Sequence, residues 1–464
     1  MRDQTAVTGE RRGDLGRLTR RSLLRRALAA QLAVPAFSVL LSACSSTGEQ
    51  GSASPTRAPS PATSTTPASG SAATPSPMAT PTLPSTRAAV GEILFGAVHP
   101  LSGSLALDGA FVKNGIDLAV EEINAAGGIK ALGGAKLRVE HADSQGKPEV
   151  GQAEAERLVG KGVVALLGAY QSAVTLNTTQ VAERARVPHI VVVAAADDIL
   201  KRGFKYSFRH NPNQTQGTLG MLEAIKELRS LTGSSIATAV HVHEDSLFGT
   251  GFAKLLASLA PNYSLKVIEQ IPYSLQGLTD LTTELTRVQA LNPDLCVVTG
   301  YLNDGILLAR TARDLRLRAP LFGLASGAFS TKQFVDQLGA MAEGILDANY
   351  HYDAKNPKAR EVRDRYKAKY GADMPTHAVM AYEAVRILAD ALERAASTDR
   401  DAIRDALAKT SFGDHILPYK GPIEFDETGQ AKNARFIVMQ IQNGQILQVL
   451  PTDFAEARIK WPPA

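Results

Sequence analysis

The sequence predicts an α/β fold: two doubly wound α/β lobes, preceded by an export signal and a polar linker. Three observations predict it. From Glu92 onward, short apolar runs rich in β-branched residues alternate with amphipathic stretches at helical spacing. That alternation continues for roughly 370 residues, more than one small core needs and enough for two lobes. Before it, the chain has a different texture, basic and apolar first, then small and polar.

Taken in order, Thr19-Arg20-Arg21-Ser22-Leu23-Leu24-Arg25 resembles the twin-arginine export signal, Ser/Thr-Arg-Arg-x-apolar-Leu-basic. Ala27 to Leu41 is then mostly apolar, interrupted by Gln31 and Pro35. It is too short to span a hydrocarbon core of about 30 Å, which takes about 20 residues. A basic start, a short apolar centre and a small-residue cleavage site read as a signal peptide. Leu41-Ser42-Ala43-Cys44 supplies that site and resembles a lipobox. Residues 1–43 are therefore expected to be a twin-arginine-type lipoprotein signal peptide, with Cys44 the lipidated first residue of the mature protein.

Charge and cysteine content agree with this division. Residues 1–43 hold eight Arg and three acidic residues, a net of +5. The whole chain is +4, so the mature protein is near −1 and the basicity belongs to the signal. That removes the argument for nucleic-acid binding. The 2 cysteines are Cys44 and Cys296. With Cys44 acylated, no intrachain disulfide can form. Cys296, in the apolar run Asp294 to Thr299, reads as a core residue.

Residues 44–90 are Ser, Thr, Pro, Ala and Gly with few large apolar side chains. Such a segment buries too little surface to offset its chain entropy, and is expected to be a disordered linker.

Eight apolar runs follow as expected strands: Ile93–Val98, Leu137–His141, Val163–Leu167, His189–Val193, Ile236–Val242, Leu265–Ile271, Leu295–Thr299 and Pro320–Leu324. Most are continuously apolar, which suits parallel strands covered on both faces. Val112, Ile116, Ala119, Val120 and Ile123 mark the stripe of a helix that Gly127-Gly128 ends. Pro375 opens a long helix carrying Val379, Tyr382, Val385, Leu388 and Leu392. Two late runs, Pro422–Phe425 and Arg435–Ile441, are expected to be strands.

In doubly wound sheets a ligand site lies beyond the carboxyl ends of the strands. The residues there are Ser102-Gly103-Ser104, Tyr170-Gln171-Ser172, Ala194-Ala195-Ala196-Asp197, Asp245 to Gly249, Tyr301-Leu302-Asn303-Asp304 and Ala325-Ser326-Gly327. Ser or Gly just before a helix leaves N–H groups free for an anionic group such as a carboxylate. The same residues also serve as ordinary helix caps.

Gly96-Ala-Val-His-Pro-Leu-Ser-Gly103, Gly115 to Ile129 and Phe204-Lys-Tyr-Ser-Phe-Arg209 resemble the branched-chain amino-acid (leucine/isoleucine/valine) binding proteins of ABC importers. Phe248-Gly-Thr-Gly251 and Met380-Ala-Tyr-Glu-Ala384 extend the resemblance over nearly all of residues 92–450. It implies a type I periplasmic-binding fold, two lobes joined by three crossovers near 209, 344 and 430. The lobes are then expected at 91–209 plus 345–430 and at 210–344 plus 431–455.

The resemblance also implies site residues. Ser172 matches the serine that holds the ligand carboxylate, and Ala194 a position whose carbonyl receives the ligand amine. Ala196 stands where a carboxylate-binding threonine is usual. Phe248 stands where a tyrosine is frequent, and Tyr301 matches a pocket tyrosine. Gly323 to Gly327 aligns with the segment bearing the ammonium-pairing glutamate, and holds no carboxylate. Asp304 and Asp108 are candidate substitutes. With Ser102, Ala195 and Ser326 from the strand ends, these complete the expected ligand-binding set.

The expectation is an extracytoplasmic substrate-binding lipoprotein that takes an amino acid or organic acid between its lobes. Its partners would be ABC permease and ATPase subunits and the membrane, through its lipid. A sensor of the same fold acting on a signalling partner is the alternative. His241-x-His243 lacks a third ligand at metal spacing. No phosphate loop, nucleophile elbow or paired carboxylates occur, so no cofactor, metal or catalysis is expected.

Overall fold

The computed structural model of the chain describes residues 91–463, so the expected signal peptide, Cys44 and the linker lie outside the described residues. The first lobe's strands are β1 (Glu92–His99), β2 (Lys136–Asp143), β3 (Leu166–Ala169), β4 (His189–Val192) and β5 (Ser207–Arg209). They form one parallel sheet in the order β2-β1-β3-β4-β5. The order reverses direction at β1, as in doubly wound sheets, which places the strand ends beside a crevice. Helices α1 (Ala106–Ala125), α2 (Pro148–Gly160) and α3 (Ser172–Arg184) connect these strands. β3 and β4 are buried along their whole length, matching their unbroken apolar sequence.

The second sheet begins after α4 (Gln214–Thr232) and contains β6 (Thr238–Glu244), β7 (Lys266–Tyr273), β8 (Leu295–Thr299), β9 (Leu321–Leu324) and β10 (Leu346–Asn349). Between these strands run α5 (Leu247–Leu259), α6 (Thr282–Leu291), α7 (Leu302–Asp314) and α8 (Lys332–Leu338). The chain then returns to the first lobe through α9 (Pro357–Tyr370), α10 (Thr376–Ala395) and α11 (Arg400–Ala408). It ends in β11 (Ile437–Gln442) and β12 (Gln445–Leu450), a hairpin that extends the second sheet antiparallel. The order is β12-β11-β10-β9-β8-β6-β7.

Two expectations need correction. The return crossing comes after Asn349, later than 344, because Leu346–Asn349 pairs with both β9 and β11. Pro422–Phe425 is no strand. Its contacts are single bridges, Phe412 with Ile423 and Phe425 with Ala431, so no neighbouring strand offers it a ladder.

α10 is buried over most of its length and lies along α1. Gly115 permits this, since a Cβ there would stand 2.2 Å from the Ala378 carbonyl oxygen. The expected stop of α1 is also present, with Gly128 N–H donating to Ile123 O at 2.9 Å. Cys296 is fully buried, and burial pushes its thiol up to about 12. His241 shares a hydrogen bond with the Thr299 hydroxyl at 2.9 Å.

Two crossing segments run side by side. Arg209 N–H donates to Gly429 O at 2.8 Å, and Ala431 N–H to Arg209 O at 2.8 Å. The Arg209 side chain, 1% exposed, donates from Nε to Gln430 Oε1 at 2.7 Å. Its Nη1 donates to the Ala196 and Ala194 carbonyls at 2.8 and 3.2 Å. Gln430 Nε2 in turn donates to Asn211 O at 2.9 Å.

Candidate functional site

The carboxyl ends of strands from both sheets meet at one place. Tyr170, Val193 and Ala325 follow β3, β4 and β9 directly, with φ of 70°, 72° and 57°. Left-handed backbone is rare for such side chains, and it turns the chain sharply where a strand ends. Around these turns lies a cavity lined by Tyr170, Val193, Ala194 and His377 from the first lobe. Phe248, Gly300, Tyr301, Ala325, Gly327 and Tyr350 complete it from the second-sheet side. Its volume is about 10 Å³, room for about one water molecule.

The lining is aromatic. Ring centroids stand 5.3 Å apart for Tyr170–His377, 5.9 Å for Tyr170–Tyr301 and 5.4 Å for Phe248–Tyr301. Tyr350 approaches His377 at 6.4 Å, and Phe111 stacks on His377 at 6.3 Å. Burial lowers the His377 imidazole to about 4, so the ring is neutral at pH 7, and its Nδ1 has no hydrogen-bond partner. Gly300 is needed where it stands, because a Cβ would meet Asp304 Oδ2 at 2.3 Å and the Tyr273 hydroxyl at 2.4 Å.

Carboxyl groups form a second layer. Asp108, in the first turn of α1, accepts from the Tyr170 hydroxyl at 2.9 Å. Burial raises it to about 7, against the lowering effect of that hydrogen bond. Asp304 accepts from Tyr301 N–H at 3.0 Å and from the Tyr273 hydroxyl, and burial raises it too. Asp347 accepts from Ser326 N–H at 3.2 Å and is raised by burial to about 7. Glu244, held by Ser246, is raised by burial as well.

Of the sequence-expected residues, Ala194, Phe248 and Tyr301 line the cavity. The others stand behind or beside it. Ser102 is exposed and donates from Oγ to Asp143 at 2.6 Å, bracing the first loop. Ser172 opens α3, buried, with Oγ accepting from Ala196 N–H at 3.2 Å. Ala195 accepts from Gln214 N–H at 2.8 Å, and Ser326 Oγ caps Ala328 N–H at 3.3 Å. The Ala194 carbonyl already accepts from Arg209 Nη1 at 3.2 Å and Asn211 Nδ2 at 3.4 Å.

A hydrogen bond joins the rims of the two lobes: Asn303 Nδ2 donates to Ser104 O at 2.9 Å. A wider groove of about 600 Å³ opens beyond His351 and Tyr352, among Lys332, Arg363, Lys367 and Glu456. Lys332 pairs with Asp336 and Lys367 with Asp373, and among the described residues the only strand lining the groove is the start of β12, Gln445 to Leu447.

A sequence profile described as periplasmic binding protein matches residues 92–445. The chain belongs to that family. It is 30% identical over 387 residues to Leu/Ile/Val-binding protein homolog 8 of Brucella abortus, covering 81% of this chain and 94% of the relative. The Streptococcus pneumoniae branched-chain amino-acid transporter protein LivJ, solved with isoleucine, superimposes with a TM-score of 0.66 at 27% identity. That match covers 78% of this chain and all of LivJ. An R. palustris solute-binding protein of an ABC transporter, solved with benzoate, matches with a TM-score of 0.66 at 18% identity, over 77% of this chain and 96% of its own. The two solved structures share the α/β fold of this chain.

Sequence reasoning missed His377, Tyr350, Val193 and Gly300 in this family member, and placed Tyr170, Ala325 and Gly327 at strand ends without including them in the ligand-binding set. Val193 ends one expected strand and Gly300 directly follows another. Tyr350 follows β10, which was not expected. His377 had one signal, a polar residue inside the buried start of α10.

Proposed function

We propose that this chain is the extracytoplasmic substrate-binding component of an ABC importer, closing its lobes on a small amino acid or related carboxylate. The observation that carries this reading is the cavity itself. It lies at the carboxyl ends of strands from both sheets, and each lobe supplies part of its wall. Parting the lobes would open it to solvent, and closing them would remove a bound solute from water.

In this reading Ser172 holds the ligand carboxylate. Its hydroxyl accepts from Ala196 N–H, which leaves its own proton to donate. α3 opens without a side-chain cap, so its first N–H groups favour an anion at the same place. Cys44 would carry the lipid that keeps the protein beside its permease, and the linker would give it reach. No described helix is long and apolar enough to cross a membrane.

The test is a thermal-shift screen of the protein with amino acids, amides, and aliphatic and aromatic acids. A ligand at one hundred times its Kd stabilises the native state by about 2.7 kcal/mol. Stabilisation by at least one small carboxylate is expected. A flat response across the whole screen would contradict the assignment.

A further inference from the structure

We propose that the cavity is an aromatic cage for an N-methylated ammonium ion, carried by a small carboxylate of the betaine type. This rests on the solute-binding reading above and specifies its substrate class.

The rings that would form the cage stand in the wall, packed against one another. Tyr170, Phe248, Tyr301, Tyr350 and His377 supply five rings, and the other lining residues are Val193, Ala194, Gly300, Ala325 and Gly327. No lysine, arginine or carboxylate is among them. Behind the rings stand Asp108 and Asp304, each hydrogen-bonded to a tyrosine hydroxyl. An anion placed among the rings would meet the electron-rich faces and then these carboxyl groups. A cation would gain from both. The Tyr170–Asp108 hydrogen bond also draws the phenol proton toward the carboxylate, which enriches the Tyr170 ring in electron density.

The wall further distinguishes between kinds of cation. A primary ammonium brings three N–H donors that need acceptors, and burying them unmet is costly. The carbonyl that would receive them by family resemblance, that of Ala194, already accepts from Arg209 and Asn211. The Val193 carbonyl accepts from Asn211 Nδ2 at 3.1 Å, and that of Gly300 from Gly327 N–H at 2.9 Å. Methyl groups on nitrogen require no acceptors and pack against rings. Quaternary ammonium recognition is what such cages do best.

The cage is divided between the lobes. Tyr170 and His377 belong to the first, whereas Phe248 and Tyr301 lie on α5 and at the start of α7 in the second. Separating the lobes would part the Tyr170–Tyr301 contact and widen a cavity that now admits about one water. Closure would bring the rings onto the ion, with the Tyr170–Tyr301 and Phe248–Tyr301 pairs held farther apart than they stand here and the carboxylate toward Ser172.

Calorimetric titration of the full chain tests the cage with four probes: valine, N,N,N-trimethylvaline, tetramethylammonium and benzoate. Trimethylvaline is expected to bind about tenfold or more tighter than valine, a difference of about 1.4 kcal/mol. Tyr301→Leu should lose that preference, while Tyr301→Phe, which keeps the ring, should retain affinity within about threefold. Thermal unfolding without ligand checks each variant's fold, and Phe248→Leu replaces Tyr301→Leu if the latter fails to fold. Tighter binding of valine or benzoate than of trimethylvaline would overturn the cage while leaving a solute-binding protein. Loss in Tyr301→Phe equal to that in Tyr301→Leu would also overturn it, pointing to the hydroxyl. Silence from all four probes, together with a flat thermal-shift screen, would overturn both readings.

Discussion

The crossing strands and the cavity are neighbours built on opposite plans. At the crossing, the Arg209 and Gln430 side chains are matched with partners, although Asn211 Oδ1 beside them has none. Arg209 donates to Gln430, Ala194 and Ala196, Gln430 donates to Asn211, and the two segments exchange backbone hydrogen bonds. At the cavity a few ångströms away, rings predominate, His377 Nδ1 is unpartnered, and the carboxyl groups behind are raised by burial. The Arg209–Gln430 contacts specify one path for the chain between lobes, because another path would orphan these buried groups. Rings and small residues with few polar contacts of their own leave a place that a bound solute can fill. Ala194 connects the two, since it lines the cavity and its carbonyl belongs to the Arg209 network.

Arg209→Met should break the crossing most severely. It leaves the Ala196 carbonyl and Gln430 Oε1 without this donor, at about 1–3 kcal/mol for each orphaned group, and so about 3 kcal/mol or more in all. Urea denaturation should show it as a lower midpoint. A loss below about 0.5 kcal/mol, the range of ordinary surface substitutions, would mean the crossing is not held this way.

On the cavity side, the effect should depend on pH. Asp108 is raised by burial from 3.8 to about 7, so between these values the native state binds more protons than the unfolded one. Stability from this group is therefore fully present below about pH 4 and is lost as pH rises through about 7. Asp347, raised to about 7, acts in the same sense. Asp108→Asn should flatten the fall in unfolding free energy between pH 4 and 8 by an amount on the order of a few kcal/mol. An unchanged slope would remove Asp108 from the account.

Ser172→Ala should have the smallest effect. The Ala196 N–H loses its partner, for about 1 kcal/mol of stability. Affinity for the ligand should fall about tenfold in calorimetry, and unchanged affinity would take Ser172 out of the carboxylate site.

The sequence made the strands legible where burial on both faces leaves an unbroken apolar run, as in β3, β4 and β8. It hid β10, because Leu346-Asp347-Ala348-Asn349 carries two polar residues that pair with each other and with Ser326. The same physics hid much of the cavity. Strand-end position pointed to Tyr301 and Phe248. The polar residues expected beside them, Ser102, Ser326 and Asp304, turned out to be engaged in bracing turns. His377 and Tyr350 reach the cavity from parts of the chain far from any identified turn, and only tertiary packing brings them there.

In the proposed function, solute enters by parting the lobes. Ser104 and Asn303, both exposed, touch across the rim, so the double substitution Ser104→Cys and Asn303→Cys places a closable lock there. Ligand uptake by the oxidised and reduced forms is then compared, using a solute identified in the thermal-shift screen. The oxidised protein should take up none and regain full uptake on reduction. Equal uptake in both states, with the disulfide verified, would place the binding site elsewhere.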